Sequence, residues 1–247
     1  MNIYFIKAAI TALALMVAPA AHAAEITLLI SNALKTVMED LAPRFEKATG
    51  HTLAITFGST NPLKARIEKG EAFDMTLLGD DAIGELIKQG RLDAASRAVV
   101  ARSGLGLAIR KGAAKPDIST AEGFKRTLLA AKSIGFLDDG LTGTYLKGLL
   151  QRLGIAEEVR KKHRGVRGAE AVAAGEVELG VTQISEILYQ TGTELAGPLP
   201  PEIQNYTNFT AAVAVNAKQP AAARELIRYL ASPAATRVMK SIGLEPQ

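Results

Sequence analysis

Residues 25–62 read EITLLISNALKTVMEDLAPRFEKATGHTLAITFGSTNP, and the fold of the chain follows from this stretch. Glu25 to Ile30 is a short run of mostly β-branched and aliphatic residues, which predicts a strand. From Leu34 to Phe45 the apolar side chains recur every three or four residues, which predicts one buried face of a helix. Gly50 supplies a typical left-handed helix terminator, and Thr52 to Phe57 then alternates like a second strand.

The same alternation of strands and helices continues beyond this stretch. Pro62 is predicted to open a second helix with Asn61 as its cap, and Phe73 to Leu78 is predicted to be a third strand. Asp80 and Asp81 are predicted to cap the helix that follows. Strands and helices that alternate through short links predict a parallel sheet covered by helices.

A second series of elements follows. Val99 to Ile109 is apolar but interrupted at Ser103-Gly104, which predicts a strand that changes direction between two lobes. Ser133 to Leu137 and Leu179 to Thr182 are predicted strands of the second lobe. Thr210 to Val215 is a further predicted strand, and with the two helices after it we expect it to return to the first lobe.

These elements predict an α/β protein of two lobes, each a mainly parallel sheet flanked by helices, with two segments crossing between the lobes. Residues 24–102 together with 205–247 are assigned to the first lobe, and residues 103–204 to the second. The crossings near Ser103 and at Asn205 to Phe209 are the expected hinge.

Residues 1–23 have the pattern of a secretory signal peptide. Lys7 is the only charged side chain before Glu25, an apolar run extends from Ala8 to Ala21, and Ala21-His22-Ala23 places small residues where a signal peptidase reads them. The alternative is a membrane anchor, but the run is shorter than the ~20 residues that a membrane-spanning helix needs. We therefore expect cleavage after Ala23 and export to the periplasm.

The composition excludes several classes of function. The chain has no Cys, so disulfides and thiol chemistry are absent, and the two His left after cleavage are too few for a zinc site. Removing Lys7 leaves a net charge near +3, far below the basic excess of nucleic-acid-binding proteins. Phosphate-loop and nucleophile-elbow motifs are also missing. From the composition, the charge and these missing motifs together, we expect no metal, no cofactor and no nucleic-acid partner.

Small hydroxyl and amide residues stand where predicted strands end and helices begin. Ser31-Asn32 follows the first strand, Gly58 to Asn61 follows the second, and the turn-rich segment Asp138 to Thr144 leads into a helix of the second lobe. In open α/β sheets ligands bind at these ends, where free backbone N–H groups and the helix dipole hold an oxyanion. The same residues are good helix caps, and the residue types alone leave both roles open.

Three segments carry a resemblance to a known family. Ile26 to Phe45, Phe57 to Thr60 and Phe73 to Leu78 resemble the periplasmic molybdate-binding proteins of ABC importers, and the similarity extends to the C-terminal helices. The resemblance implies the two-lobed type 2 fold of periplasmic binding proteins.

The resemblance also implies where a ligand binds. Ser31 and Ser59 match first-lobe contacts of that family, and Thr142 to Thr144 and Val166-Arg167 lie near its second-lobe contacts. Where the family has a tyrosine after the last strand of the second lobe, this chain reads Thr182-Gln183. The departure weakens the case for molybdate more than the case for an anion.

Other segments are similar to a different branch of the same superfamily. Ala101 to Gly104, Lys115 to Ile118, Phe124 to Ile134, Gly197 to Pro200 and Ile203-Gln204 resemble the branch that contains the periplasmic aconitate isomerases. This similarity implies a tricarboxylate as a possible ligand and leaves an enzyme open as the alternative function.

An aconitate isomerase needs a base that moves an allylic proton and cations or donors that hold carboxylates. His51 and His163 are expected to be exposed rather than catalytic, so the catalytic residues stay unassigned. The candidate bases are Asp80, Asp138 and Asp139, and the candidate cations or cleft-facing polar residues are Lys35, Arg66, Arg167, Tyr145, Tyr206 and Asn208.

We therefore expect a monomeric periplasmic binding protein that closes on a small oxyanion or carboxylate and presents it to the membrane permease of an ABC importer. Aconitate isomerisation in the same cleft is the alternative. The sequence does not decide whether the ligand is molybdate, tungstate or a small carboxylate. The predicted ligand-binding residues are Ser31, Asn32, Ser59, Thr60, Thr142, Gly143, Thr144, Arg167 and Gln183.

Overall fold

The computed structural model describes residues 23–246. The predicted signal peptide, residues 1–23, therefore lies outside the described residues except for Ala23. Between residues 23 and 246, no helix has the length and apolar character needed to cross a membrane. The described chain forms two sheets that share one long strand.

The first sheet begins with the three strands predicted near the start of the chain. Strand β1 (Glu25–Ser31) lies between β2 (Thr52–Gly58) and β3 (Met75–Gly79), and all three are parallel. Gly50 ends the first helix with a φ of 79°, as predicted. The helices of this part are α1 (Lys35–Thr49), preceded by a 3₁₀ turn at Asn32–Leu34, α2 (Thr60–Glu68) and α3 (Asp80–Lys88).

The second sheet is built around the far half of strand β4 (Ala98–Arg110). Its strands run in the order β8, β4, β7, β5, β6. These strands are β5 (Ile134–Gly135), β6 (His163–Arg164), β7 (Leu179–Gln183) and β8 (Thr193–Pro198). The helices are α4 (Ala121–Ala130), α5 (Leu141–Arg152), α6 (Ala156–Lys162), α7 (Gly168–Ala174) and α8 (Ile184–Tyr189).

The C-terminal part returns to the first sheet, as predicted. Strand β9 (Tyr206–Val213) pairs with β3 and with the near half of β4. Helices α9 (Pro220–Leu230) and α10 (Pro233–Ser241) follow, and β10 (Glu245–Pro246) pairs with β4. Ser232 caps α10, because its hydroxyl accepts a hydrogen bond from the Ala235 N–H at 3.3 Å.

Strand β4 carries the chain from one sheet into the other without a break. Up to Gly104 its partner is β9, and from Leu105 onward it lies between β7 and β8. The predicted interruption at Ser103-Gly104 is therefore the point at which one continuous strand changes sheets.

Each sheet is mixed rather than mainly parallel. β9 pairs antiparallel with β3 and β4, and β4 pairs antiparallel with β7 and β8. The antiparallel pairs all involve β4 or β9, the strand that passes between the sheets and the strand that follows the second crossing segment. The parallel pairs predicted from the sequence are confined to β1 with β2 and β3, and to β5 with β6 and β7.

The side chain of Gln204 ties the two crossing segments together. Its Oε1 accepts hydrogen bonds from the N–H groups of Leu105 (2.8 Å) and Asn205 (2.9 Å). Its Nε2 donates to the carbonyls of Leu105 (3.0 Å) and Leu199 (3.2 Å). Gly104 leaves room for this amide, because a Cβ there would lie 3.2 Å from Gln204 Nε2.

Each sheet has its own hydrophobic core. The larger cluster packs α1, α9 and α10 against the first sheet and includes the fully buried Phe45 and Phe209. A second cluster packs α4, α5 and α6 against the second sheet around Phe124. The two cores are what make each lobe a separate layered unit.

Two helix starts differ from the prediction. Helix α2 begins at Thr60, so Ser59 rather than Asn61 precedes it. Asn61 makes a different contact: its Nδ2 donates a hydrogen bond to the carbonyl of Asp139 in the other lobe at 2.9 Å. Asp80 opens α3 instead of capping it, and its carboxylate accepts from Thr210 at 2.7 Å.

In the second lobe, helix α5 begins at Leu141, inside the segment predicted as a loop. Strand β5 covers only Ile134–Gly135 of the predicted Ser133 to Leu137. Strand β8 was not predicted, and its last residue, Pro198, lies opposite Gly106. An edge position explains why proline is tolerated there.

Helix α7 approaches strand β7 at two glycines. A Cβ on Gly180 would lie 2.5 Å from the Gly168 carbonyl oxygen, and a Cβ on Gly168 would lie 2.7 Å from the Gly135 carbonyl oxygen. Both distances are too short for any side chain. The glycines therefore set how closely the first turn of α7, and Arg167 before it, sits against the end of β7.

We expect Gln204→Ala to lower the free energy of unfolding by about 1–3 kcal/mol, because backbone groups of Leu105 lose their partners at a partly buried site. Urea unfolding followed by circular dichroism measures the change. Gln151→Ala, at an exposed position on α5, is the control and is expected to change stability by less than about 0.5 kcal/mol. Equal effects of the two variants would contradict the role of Gln204.

We expect Gly180→Ala to lower the free energy of unfolding by about 1–3 kcal/mol, because the new methyl group meets backbone atoms of Gly168. Gly84→Ala is the matched control: it lies inside α3 with no atom within 4 Å of its Cβ position, so a gain of about 0.5–1 kcal/mol is expected. Calorimetric melting shows whether each variant is less or more stable than the unmodified protein. A stable Gly180→Ala variant would show that the helix can move away from the strand at little cost.

Candidate functional site

A small cavity lies between the two sheets, at the ends of strands from both lobes. Its volume is about 80 Å³, whereas pockets for drug-sized ligands measure roughly 300–1,000 Å³. The cavity is therefore suited to a small ligand. The predicted residues that line it are Ser31, Asn32, Ser59, Thr60, Thr142, Arg167 and Gln183.

The first-lobe wall is formed where β1 and β2 end. Ser31 and Ser59 each occupy the position just before a helical turn, yet within the described residues neither hydroxyl caps that turn. Away from the cavity the hydroxyls behave differently: Thr120 accepts from the Gly123 N–H at 3.1 Å, and Ser232 caps α10. The helix starts at the cavity thus keep free N–H groups and an unused hydroxyl.

Thr60 adds a third hydroxyl to this wall. It is buried, and its Oγ1 accepts a hydrogen bond from the Gly79 N–H at 3.4 Å. Since that bond occupies a lone pair of the oxygen, the hydroxyl hydrogen remains available to a ligand.

The second-lobe wall is formed by the first turn of α5. Gly140 precedes the helix, and Leu141 and Thr142 line the cavity. Thr142 and the free N–H groups of this turn face the same space as Ser31 and Ser59. This is the geometry of an anion site made of donors from two helix starts.

Gly143 and Thr144 were predicted to bind ligand, but they are not among the residues that line the cavity. A Cβ on Gly143 would lie 2.0 Å from the Leu137 carbonyl oxygen, so this residue allows α5 to pack against the preceding chain. The Thr144 hydroxyl donates to the Gly140 carbonyl at 3.1 Å. Both residues support the turn because the helix begins earlier than predicted.

Two cations flank the donors. Arg167 directly precedes α7, and its Nε lies 3.3 Å from Glu170 Oε1, with both side chains partly exposed. Lys35 opens α1, and its Nζ lies 3.8 Å from Glu39 Oε1. Exposed pairs of this kind are weak, so either cation can turn toward an anionic ligand at small cost.

Gln183 ends β7 and is almost fully buried. Its Nε2 donates to the Thr207 hydroxyl at 3.1 Å, which links it to the crossing strand β9. Its Oε1 is the one buried side-chain polar atom without a hydrogen-bond partner among residues 23–246. A buried acceptor without a donor is costly, so this atom marks a place for a ligand or a water.

Glu186 lines the cavity from the first turn of α8. It accepts a hydrogen bond from Thr182. Burial raises the pKa of the Glu186 carboxyl above its ordinary value, and the Thr182 hydrogen bond and the Arg167 charge offset this shift only in part. The cavity therefore contains an acidic group that is held closer to its neutral form than an exposed glutamate.

Contacts join the lobes across the cavity. The buried Ser185 hydroxyl donates to the Ala33 carbonyl at 3.0 Å. The Tyr189 hydroxyl donates to Glu39 at 2.6 Å. Together with the Asn61 hydrogen bond to Asp139, these contacts describe a closed arrangement of the lobes.

The predicted candidate bases lie elsewhere. Asp80 binds Arg97 at 2.6 Å as well as Thr210, and it does not line the cavity. Asp138 lies 3.3 Å from Lys147, and Asp139 contributes its backbone carbonyl rather than its carboxylate. The carboxylates of Asp80 and Asp138 are thus paired, and none of the three aspartates lines the cavity.

The other polar candidates also have structural roles. Arg66 pairs with Glu71, and the Tyr145 hydroxyl donates to the Ile203 carbonyl at 2.8 Å. Arg102 stacks over the ring of Tyr206, 4.7 Å from its centroid, and Asn208 is exposed.

The expectation that both histidines are exposed is wrong. His51 is buried, stacks on Phe45 and accepts from the Ala24 N–H at 3.1 Å. His163 stacks on Phe136 with ring centroids 3.9 Å apart. Their rings are used in packing at the edges of the two cores, which loop assignments from sequence did not show.

Thr182, Glu186 and Tyr189 were missed as cavity residues. The sequence marked Thr182-Gln183 as a departure from the related family, but not the glutamate four residues after Thr182. Four residues is one helical turn, so a helix starting at Ile184 brings Glu186 back to the strand end. Within the described residues, no three His, Asp or Glu side chains gather as metal ligands.

Comparisons with known proteins agree with this fold. Residues 26–245 match the family model of the bacterial extracellular solute-binding proteins. The chain is 33% identical over 230 residues to an aconitate isomerase of a Pseudomonas species, covering 90% of this chain and 87% of that protein. It is 31% identical over 238 residues to the molybdate-binding protein ModA of Azotobacter vinelandii, covering 92% of both.

A solved structure shows the same architecture. The periplasmic molybdate-binding protein of Azotobacter vinelandii superposes with a TM-score of 0.75 at 21% identity, over 89% of this chain and 98% of that chain. The predicted two-lobed fold and the predicted resemblance to both branches are thereby confirmed. Because the family model spans nearly all of the described residues and two relatives exceed 30% identity, the chain belongs to the bacterial extracellular solute-binding protein family.

Proposed function

We propose that this protein captures a small anion in the cavity between its lobes and delivers it, in the periplasm, to the membrane permease of an ABC importer. The observation that carries the proposal is the set of uncapped helix starts and free hydroxyls around a cavity of about 80 Å³. Donors without partners on two sides of one small space are matched by an anion that fills it.

The donors come from both lobes. Ser31, Ser59 and Thr60 supply hydroxyls from the first lobe, and Thr142 supplies one from the second. The N-terminal N–H groups of α2 and α5 add the positive ends of two helix dipoles. Arg167 balances the remaining ligand charge from the rim of the cavity.

Capture involves closure of one lobe on the other. The hinge lies where β4 and the segment held by Gln204 cross, between the lobes assigned to residues 24–102 with 205–247 and to residues 103–204. The hydrogen bonds between the lobes form on closure and break on opening; they are made by Ser185, Tyr189 and Asn61. A ligand bridging both walls favours the closed state by its differential affinity.

A second candidate function is aconitate isomerisation in the same cavity. Glu186, beside Arg167, is the observation that favours it, since a carboxylate with a raised pKa can remove an allylic proton and return it to the other carbon. The double bond shifts in the same step, so the reaction needs no further reactant. The 33% identity to an aconitate isomerase supports the same candidate.

We expect the protein lacking residues 1–23 to melt at a higher temperature in the presence of one or more of molybdate, tungstate, sulfate, citrate and trans-aconitate. A ligand at one hundred times its dissociation constant stabilises by about 2.7 kcal/mol, which a thermal-shift assay detects easily. Ser59→Ala is then expected to weaken binding of that anion about tenfold or more, because a hydrogen bond to a charged group is lost.

Ser241→Ala is the matched control, since this hydroxyl donates to the Val238 carbonyl at 2.8 Å at an exposed position of helix α10. Its affinity in calorimetric titration should equal that of the unmodified protein. Absence of a shift with all five anions, or equal affinities for Ser59→Ala and Ser241→Ala, would contradict the proposed site.

We expect trans-aconitate to bind without being converted. The measurement is a time course of the proton NMR spectrum of trans-aconitate in D2O with a trace of protein. An unchanged spectrum over many equivalents of ligand supports transport. Accumulation of cis-aconitate, lost in Glu186→Gln, would establish the isomerase instead.

A further inference from the structure

Gln183 and Glu186 differ in their chemistry from the hydrogen-bond donors that line the described cavity; Glu170 also lines it, but its side chain is half exposed and pairs with Arg167. Serine and threonine hydroxyls, arginine and helix N–H groups all donate hydrogen bonds to an anion. Gln183 Oε1 is instead a buried acceptor without a partner, and Glu186 is an acid. A site that bound a fully ionised oxyanion would gain nothing from either group.

The charged and titratable groups near Glu186 come from three elements. Arg167 and Glu170 lie at the start of α7, Lys35 opens α1, and Tyr189 follows on α8. Arg167 is already within 3.3 Å of Glu170, and Lys35 is near Glu39. These cations are therefore shared with other carboxylates and do not form a dedicated counter-charge for Glu186.

An ionised Glu186 would repel the anion that the rest of the cavity attracts. Two negative groups in one small, partly buried space are stabilised when they share a proton, as paired carboxylates do. The Thr182 hydroxyl holds the Glu186 carboxyl in place, and burial already favours its neutral form.

We propose that Glu186 engages the ligand as a neutral carboxylic acid, so that the complex carries one proton between Glu186 and the ligand. This inference rests on the proposed function and narrows its ligand to a small carboxylic acid with a second carboxyl or hydroxyl group. One carboxylate of that ligand takes the hydroxyl and helix N–H donors. The second polar group shares the proton of Glu186, and a ligand hydroxyl group, where present, donates to Gln183 Oε1.

Tetrahedral oxyanions of strong acids fit this arrangement less well. Sulfate and molybdate are fully ionised near neutral pH and carry no hydrogen for Gln183 Oε1. A hydroxy acid carries one in its hydroxyl group, and a polycarboxylic acid carries one when a carboxyl group keeps the shared proton. Glu186 is thus the residue that selects between the two ligand classes.

The first arm of the test uses the ligand-free protein, so that it does not depend on any ligand. In the folded protein the raised pKa of Glu186 costs stability above the unfolded pKa, and this cost reaches its full value above the folded pKa. The melting temperature of Glu186→Gln relative to the unmodified protein should therefore rise between about pH 4 and pH 8. Glu158→Gln, exposed on α6, should show no such trend.

The second arm measures proton uptake on binding of citrate and trans-aconitate. Calorimetric titrations in buffers of different ionisation enthalpy should show uptake of up to one proton per ligand at about pH 7.5, and none for Glu186→Gln. Affinity of the unmodified protein should fall by up to about tenfold per pH unit above the Glu186 pKa, while that of Glu186→Gln stays flatter.

The outcomes separate the two claims. The role of Glu186 would be overturned if the difference in melting temperature between Glu186→Gln and the unmodified protein did not change with pH. Proton uptake that persists in Glu186→Gln would overturn it as well. Tighter binding of molybdate than of either carboxylate, without proton uptake, would overturn the ligand class while leaving anion capture in place. Binding of neither class would contradict the proposed function itself, and the ligand-free melting series would still decide whether Glu186 holds a proton.

Discussion

The passage of strand β4 from one sheet into the other is the constraint on which the rest of the structure depends. Because one strand belongs to both sheets, the ends of β1 and β2 face the ends of β5 and β7 across a common gap. The Gln204 amide keeps the second crossing segment on the same point of β4. The cavity lies where the lobes are joined, and the proposed hinge is at the same place.

The hydroxyl residues before helix starts at the cavity differ from two that lie elsewhere. At Thr120 and Ser232, away from the cavity, the side-chain hydroxyl satisfies an N–H group of the helix. Ser31 and Ser59 stand at equivalent positions and leave theirs free. Unpaired donors at a closed cavity raise the free energy of the empty site, and an anion with several acceptors lowers it. The fold thus concentrates unsatisfied donors where a ligand replaces water.

The second lobe also contributes an acid to the cavity, in contrast to the hydrogen-bond donors described above. Helix α8 carries Glu186 into the cavity, Ser185 onto the Ala33 carbonyl and Tyr189 onto Glu39. One short helix therefore combines an acid in the site with the contacts that hold the lobes together. In the proposed function, this helix would couple ligand binding to lobe closure, because it contributes to both the cavity and the contacts between the lobes.

The sequence by itself determined the alternating elements, the two-lobed architecture and the hydroxyl residues at the strand ends that line the cavity. Periodic burial in β1 and α1, the glycine after α1 and the hydroxyl residues after β1 and β2 are all local signals. It did not determine the start of α5, the cap of α2 or the mixed sheets, because Asn61 bonds to the opposite lobe and β4 pairs with strands far along the chain. Only the tertiary structure showed that the Glu186 carboxyl is buried and that, among the described residues, the Gln183 Oε1 atom has no hydrogen-bond partner. Both properties depend on how the two lobes assemble around the cleft.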